Sequence, residues 1–391
     1  MKTELILSED NFFLIRLNYQ FYARPSGIVS GKIASDMIES CKALRLAGSN
    51  LAFSSCLVLL RENNKLFEVT WSFDDILKSF EDKNEHNELE NDVYSYQWKS
   101  MLTNINKSHT FAGLKLDRPV IMGIVNVTPD SFSDGGLFFD HDMAIKHGLQ
   151  LLDAGADIID VGGESTRPES KMIDSTEEIR RVLPVIRAFV NHGAIVSIDT
   201  RNSKVMKIAI DNGVTIINDI SALEGDPKSL EIVAESDVSV ILMHMLGKEP
   251  QNMQNNPHYT FAPTDVFDYL EERLVVCFDY GITPDRLCVD PGIGFGKSVD
   301  HNLQILTRIG LYHALGVPIL LGVSRKSFIG KLSCNEKARE RLPGSLTAAL
   351  LGLEQGVQIL RVHDVAETIQ AISVWQSIKD SDGAYEYEYV N

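Results

Sequence analysis

Asn126, Asp199, Asn218, Asp290, Arg361 and His363 each stand at or beside the end of a short apolar run, and Lys326 follows another closely. Glu164 closes the run DIIDVGGE at 157–164, and Thr166 and Arg167 trail it. Their types divide the chemistry. Asp199, Asn218 and Asp290 supply carboxylate and amide acceptors suited to a flat heterocycle with several N–H donors, above all a guanidine-like edge. Arg361 and His363 lie two apart, which on a strand directs both side chains to one side, and with Arg167 they offer cations to a phosphate. Asn126 offers a neutral oxygen to a Mg2+ already held by a pyrophosphate, because Mg2+ keeps most of its waters and takes few protein ligands.

Such residues act together only if the fold brings them to one place. The runs that end in them are VIMGIVN (120–126), DIIDVGGE (157–164), AIVSIDT (194–200), TIINDIS (215–221), SVILMHM (239–245), LCVDPG (287–292), PILLGVSR (318–325) and QILRVHD (358–364). Helix-length stretches separate them. Strands buried on both faces read as continuous β-branched runs, and alternation with helices implies right-handed βα crossovers. Eight βα units predict an α/β fold, a closed (β/α)8 TIM barrel whose strand ends share one mouth. A doubly wound open sheet is the alternative, disfavoured because no G-x-G-x-x-G follows the first run. A single Asp or Asn at a strand end is most often a helix cap, but eight polar ends at one mouth are not all caps. Asp364 with Glu367 predicts a capping box for the helix after the eighth run.

The chain has 391 residues, 44% hydrophobic and 23% charged, enough for a barrel with an appended segment. Its formal charge of -17 argues against a nucleic-acid surface, so an anionic ligand must meet locally placed cations. The five cysteines are scattered and never spaced C-x-x-C, which suits a reducing cytoplasm. No basic and apolar leader opens the sequence and no apolar run would span a bilayer, so no membrane partner is expected. Before the barrel, FFLIRLNY, LAFSSCLVLLRE and KLFEVTW look like strands and IASDMIESCKAL like a helix, a small α+β N-terminal segment. The expected domains are 1–110, ending in an acidic, polar linker near 79–110, and 111–391. RPSG at 24–27 reads as a surface turn that could also bind an anion.

From about 115 to 380 the sequence resembles dihydropteroate synthase. NVTPDSFSDGG, GGESTRP, SIDT, ND, LMHM, DPGIGFGK, GVSRKSFIG and RVHDV follow in that family's order and cover the whole barrel. The resemblance implies a transferase of folate biosynthesis, a sulfonamide target that joins 6-hydroxymethyl-7,8-dihydropterin diphosphate to p-aminobenzoate, with Mg2+ as cofactor. It places Asp199, Asn218, Asp290 and Lys326 around the pterin, and Asn126 on the Mg2+. Thr166, Arg361 and His363 fall on the diphosphate side. Arg167, Pro168, Phe295, Lys326 and Ser327 fall around p-aminobenzoate, with Phe132 and Pro168 as apolar walls. Asp199, Lys326, Arg361 and His363 carry the catalytic roles. Loop 127–136 and the loop after Ser165 resemble lids, and Glu169–Ser170 depart from the small pair common in the second. The implied mechanism is dissociative, and a homodimer is implied by resemblance alone. The N-terminal segment resembles neither of the pterin enzymes sometimes fused to this synthase and is expected to be a packing cover for the barrel or an oligomerisation element.

Other readings of single residues stand beside these. DPGIGFGK alone reads as a tight βα turn. His244 reads as a wall residue, because no second His sits at metal-ligand spacing, and Met243 and Met245 read as barrel packing. A pterin-dependent methyltransferase barrel would need neither SRKS nor RVHD, and a non-catalytic pterin-binding protein would have no use for Asn126, Arg361 and His363 together.

Overall fold

The computed structural model describes residues 20–62, 65–75, 98–128, 141–164, 173–247, 253 and 256–381. They divide into two compact units, one of 20–108, 308–316 and 376–381, the other of 109–307 and 317–375.

In the first unit β3 (Ala52–Glu62) is the central strand of an antiparallel sheet. On one side it pairs with β1 (Gln20–Val29), and it also pairs with β2 (Leu44–Arg45) and β4 (Lys65–Ser72). Arg24–Gly27 lies within β1 and is not a turn, with Pro25 opposite Cys56 and Ser26 opposite Ser55. Pairing along a long partner outweighs the local turn preference, and a proline is tolerated because β1 is an edge strand among the described residues. The helix Gly31–Glu39 stops before Cys41, whose φ of 55° is incompatible with further helix. Residues 98–106, polar enough to read as linker, are helical. Trp98, Leu102 and Ile105, at helical spacing, are all buried. FFLIRLNY and the acidic run 81–92 lie outside the described residues.

The second unit is the expected barrel. All eight apolar runs become parallel strands: β7 (Val120–Asn126), β8 (Ile158–Gly162), β9 (Ile195–Asp199), β10 (Ile216–Asp219), β11 (Ser239–Met243), β12 (Leu287–Asp290), β13 (Leu320–Leu321) and β14 (Ile359–Val362). The hydrogen-bonded order runs β12 to β7 and on through β14 to β13, and a parallel bridge between Val289 and Ile319 joins the two ends. The short hairpin β5 (Thr110–Phe111) and β6 (Leu114–Lys115) precedes the first barrel strand.

Period two then sorts the interior. A buried apolar layer contains Met122, Ile158, Ile216, Cys288, Leu320 and Ile359, together with Phe111 and Leu116 from around the hairpin. Two residues further along four of these strands stand Asp160, Asn218, Asp290 and Arg361, facing the same way but nearer the carboxyl mouth. Ile124 and Met243 keep that level apolar on β7 and β11, so its polar groups come from β8, β10, β12 and β14. The capping box expected at Asp364 does not form. Asp364 gives its carboxylate to Arg325 instead, and a bidentate, charge-assisted pair outcompetes a neutral N–H cap.

Candidate active site

Strand register places the first group. Asn126 pairs with Gly162, and Gly162 pairs with Asp199. A Cβ on Gly162 would lie 3.5 Å from Asn126 Oδ1 and 3.8 Å from Asp199 Oδ2, so both side chains lean over the bare glycine. A second glycine opens the opposite arc. A Cβ on Gly322 would lie 3.7 Å from Lys326 Nζ, 3.9 Å from Asp290 Oδ2 and 3.9 Å from Arg361 Cβ. The amide, two carboxylates and two cations therefore frame one mouth floored by glycines.

Arg361 binds the two arcs together. Its Nε donates to Asp160 Oδ2 and its Nη2 to Asp199 Oδ2, each at 2.7 Å. Asp160 is fully buried and also accepts from Ser197 Oγ at 2.6 Å and Asn218 Nδ2 at 3.2 Å. It escapes a search of strand ends because it sits in mid-strand. Its signal is the i+2 step from buried Ile158 on the same inward face.

Arg361 and His363, two residues apart at the end of β14, take different partners. His363 Nδ1 lies 3.0 Å from Ser324 Oγ, while Arg361 reaches towards β8 and β9.

Burial sets the titration of the mouth. Desolvation, assisted by Asp160 and opposed by Arg361, raises the Asp199 carboxyl to about 7. Asp290 is raised for the same first reason, although it accepts from the Gly292 amide at 2.7 Å and faces Lys326. Desolvation lowers Lys326 to about 8, against the opposing pull of Asp290. Its Nζ donates to the Ile293 carbonyl and stands 4.8 Å from the Phe295 ring centre. Phe295 packs in turn against Met243, Met245, Met253 and Ile220, so the methionine pair is packing beneath a site residue. Ser327 is exposed at the first position of the helix Ser327–Leu332.

Other polar strand ends have structural duties. Asp219 caps its own turn, accepting from the Ser221 and Leu223 amides and from Ser221 Oγ. His244 is a buried wall residue. Its Nδ1 lies 2.8 Å from the buried Lys297 Nζ, which also donates to the His244 and Phe295 carbonyls. Lys297 closes the DPGIGFGK loop from within and does not face the mouth as a phosphate-binding lysine would. Thr166, Arg167, Pro168, Phe132 and the departure at 169–170 lie outside the described residues.

A parallel eight-stranded barrel with buried acids, an amide and an ammonium at its carboxyl mouth defines a barrel enzyme built to hold a flat polar heterocycle. The family model for the pterin binding enzyme matches residues 122–363, from β7 to His363. The dihydropteroate synthase of Escherichia coli K12 is 43% identical over 276 residues, covering 70% of this chain and 97% of its own. Xanthomonas albilineans dihydropteroate synthase with 4-aminobenzoic acid is 46% identical with a TM-score of 0.65, covering 68% of this chain and 96% of its own. The structure of that species' enzyme with 7,8-dihydropteroate is 44% identical with a TM-score of 0.62, covering 68% of this chain and 95% of its own. The chain belongs to the pterin-binding enzymes and, within them, to the dihydropteroate synthases.

Proposed function

We propose that this protein condenses 6-hydroxymethyl-7,8-dihydropterin diphosphate with p-aminobenzoate, giving 7,8-dihydropteroate and pyrophosphate. The observation that carries the reading is the convergence of Asp290, Lys326 and Arg361 over Gly322 with Asn126 and Asp199 over Gly162. Asp290, Asp199 and Asn218 accept from the guanidine-like pterin edge, and Lys326 donates to a ring acceptor. The acids then stabilise the cation left when the bond between the pterin methylene carbon and the diphosphate oxygen breaks, the electron pair leaving with the diphosphate. When the pterin edge takes Asp199, the Arg361 guanidinium gains an open side. That side and His363, with Thr166 from the second lid, meet the departing charge. The arylamine nitrogen captures the methylene carbon and gives its proton to the leaving diphosphate. Phe295, Lys326, Ser327, Arg167, Pro168 and Phe132 are assigned to the p-aminobenzoate side.

Mg2+ fits this residue set only as a guest of the diphosphate. Among the described residues no three His, Cys, Asp or Glu side chains form a metal cluster, and Asn126 Oδ1 stands over the open glycine floor. A neutral amide oxygen suits an ion that arrives with most of its ligands already in place. Asn126 would hold it, and the ion would supply neutralising charge to the diphosphate oxygens.

Exposed Leu303, Leu351 and Val374, on the helices Val299–Thr307, Leu342–Leu353 and Val365–Ser381, support a homodimer. The five free thiols support a cytoplasmic setting, and among the described residues no helix is long and apolar enough to cross a membrane. Domain limits near 110 and an N-terminal segment that serves as a packing cover or an oligomerisation element complete the proposal.

The test is pyrophosphate release from the pterin diphosphate with Mg2+, with and without p-aminobenzoate, and mass detection of dihydropteroate. Product that requires the arylamine supports the reading. Bound pterin without product overturns it in favour of a binding protein or a methyltransferase.

A further inference from the structure

Between Ser324 and Lys326 the chain passes through the left-handed region, with Arg325 at φ 58°. Glycine holds that conformation without strain, whereas an arginine there must be held by its surroundings. Four contacts hold it. The Arg325 amide donates to Ser345 Oγ at 2.8 Å, and its carbonyl accepts from Arg341 Nη1 at 3.0 Å. Its guanidinium makes a bidentate pair with Asp364, through Nε to Oδ2 at 2.9 Å and through Nη2 to Oδ1.

The reversal sends the neighbouring side chains to different partners. Ser324 Oγ meets His363 Nδ1 at 3.0 Å and accepts from the His363 amide at 3.2 Å, whereas Lys326 Nζ reaches the Ile293 carbonyl. Two successive residues, Ser324 and Arg325, are thus clipped to two successive residues, His363 and Asp364. The clip lies at the ends of neighbouring strands, β13 and β14.

We infer that Arg325 is a positioning residue. Through its left-handed backbone and its pair with Asp364 it fixes Lys326 and His363 at once, on the pterin and diphosphate ends of the same breaking bond. Resting on the proposed synthase reaction, the inference explains why an arginine occupies a place where glycine would fold more easily. The side chain supplies the second half of the clip. A group displaced by about 1 Å at a reacting centre costs about a hundredfold in rate, while ground-state binding is affected less.

Arg325→Gly, Arg325→Lys and Asp364→Asn test it in the full chain. Arg325→Gly removes both the strain and the clip, Arg325→Lys keeps one charged contact, and Asp364→Asn keeps the arginine but weakens its anchor. The expected result is a kcat for dihydropteroate formation lowered 10- to 100-fold by Arg325→Gly and Asp364→Asn, with KM for p-aminobenzoate, which Lys326 also meets, changed by a smaller factor than kcat. Arg325→Lys should recover part of that kcat. Nitrogen NMR of His363 should show its Nδ1 losing the Ser324 hydrogen bond in Arg325→Gly. Wild-type kcat in Arg325→Gly, or losses that merely follow the folded fraction, would overturn the inference. If the wild-type protein forms no dihydropteroate, the synthase reading fails, and an unchanged His363 spectrum in Arg325→Gly then overturns the positioning role separately.

Discussion

Arg361 of β14 reaches past β7 and β8 to Asp199 of β9, 2.7 Å from Nη2 to Oδ2, and binds Asp160 of β8 on the way. One guanidinium thereby holds two carboxylates that would otherwise repel each other in a desolvated mouth.

Asp160→Asn is the direct probe of that arrangement. It leaves Asn218 and Ser197 with a hydrogen-bonding partner but removes half the charge facing Arg361. We expect a loss of about 2 kcal/mol in unfolding free energy, because a charge-assisted hydrogen bond to Arg361 becomes a neutral one while Asp199 still compensates the guanidinium. Pterin affinity, measured calorimetrically, should fall with it. Wild-type values in both measurements would show that Asp199 alone suffices for Arg361.

Glu178, buried on the helix Ser175–Asn191, has no hydrogen-bond partner at Oε1 among the described residues, and desolvation raises its carboxyl to about 7. The folded state therefore holds a proton that the unfolded chain has released at the same pH. Stability should decline as pH rises from about 4.5 to 7 and level off above, with Asp199 adding to the same slope. Glu178→Gln should flatten its share of that decline and stabilise the protein at pH 8 by about 2 kcal/mol. Denaturant titrations at pH 5 and pH 8 check the sign.

Gly292 has φ 67°, and a Cβ there would stand 1.9 Å from the His244 carbonyl oxygen. Gly193 has φ 81° with nothing within 4 Å of its Cβ position. Gly193→Ala should cost about 1 kcal/mol from backbone conformation alone, and Gly292→Ala about 3 kcal/mol or more because it also displaces the β11 end. Equal melting shifts would mean that the loop yields without strain.

Lys326 is lowered to about 8 and so loses its charge within the working range. The kcat/KM for the pterin diphosphate should fall as pH rises through about 8, since this ratio reports the free enzyme. Lys326→Arg should move that limb above pH 10 while lowering the plateau, because a guanidinium cannot take the same place over Gly322. A limb unchanged in the variant would assign the titration to another group.

Asn126→Ala should weaken product inhibition by pyrophosphate in the presence of Mg2+ roughly tenfold, the worth of one hydrogen-bond-sized contact. Binding of a pterin without a diphosphate should be unchanged. Equal loss for both ligands would place Asn126 on the pterin instead.

The sequence by itself determined the barrel. Eight continuous apolar runs have few ways to be buried on both faces, and each run reappears as a strand. It also determined which residue types stand at the mouth, because strand ends and the period of two are local properties. Local rules failed where partners come from far along the chain. RPSG became a strand because β3 pairs with it, and the Asp364 carboxylate turned to Arg325 instead of capping its helix. Asp160 was legible as an inward-facing carboxylate, but not as the hub of Ser197, Asn218 and Arg361. Only the tertiary structure decided that, since Asp160 and Arg361 are 201 residues apart and closure of the ring brings β14 beside β7 and within reach of β8.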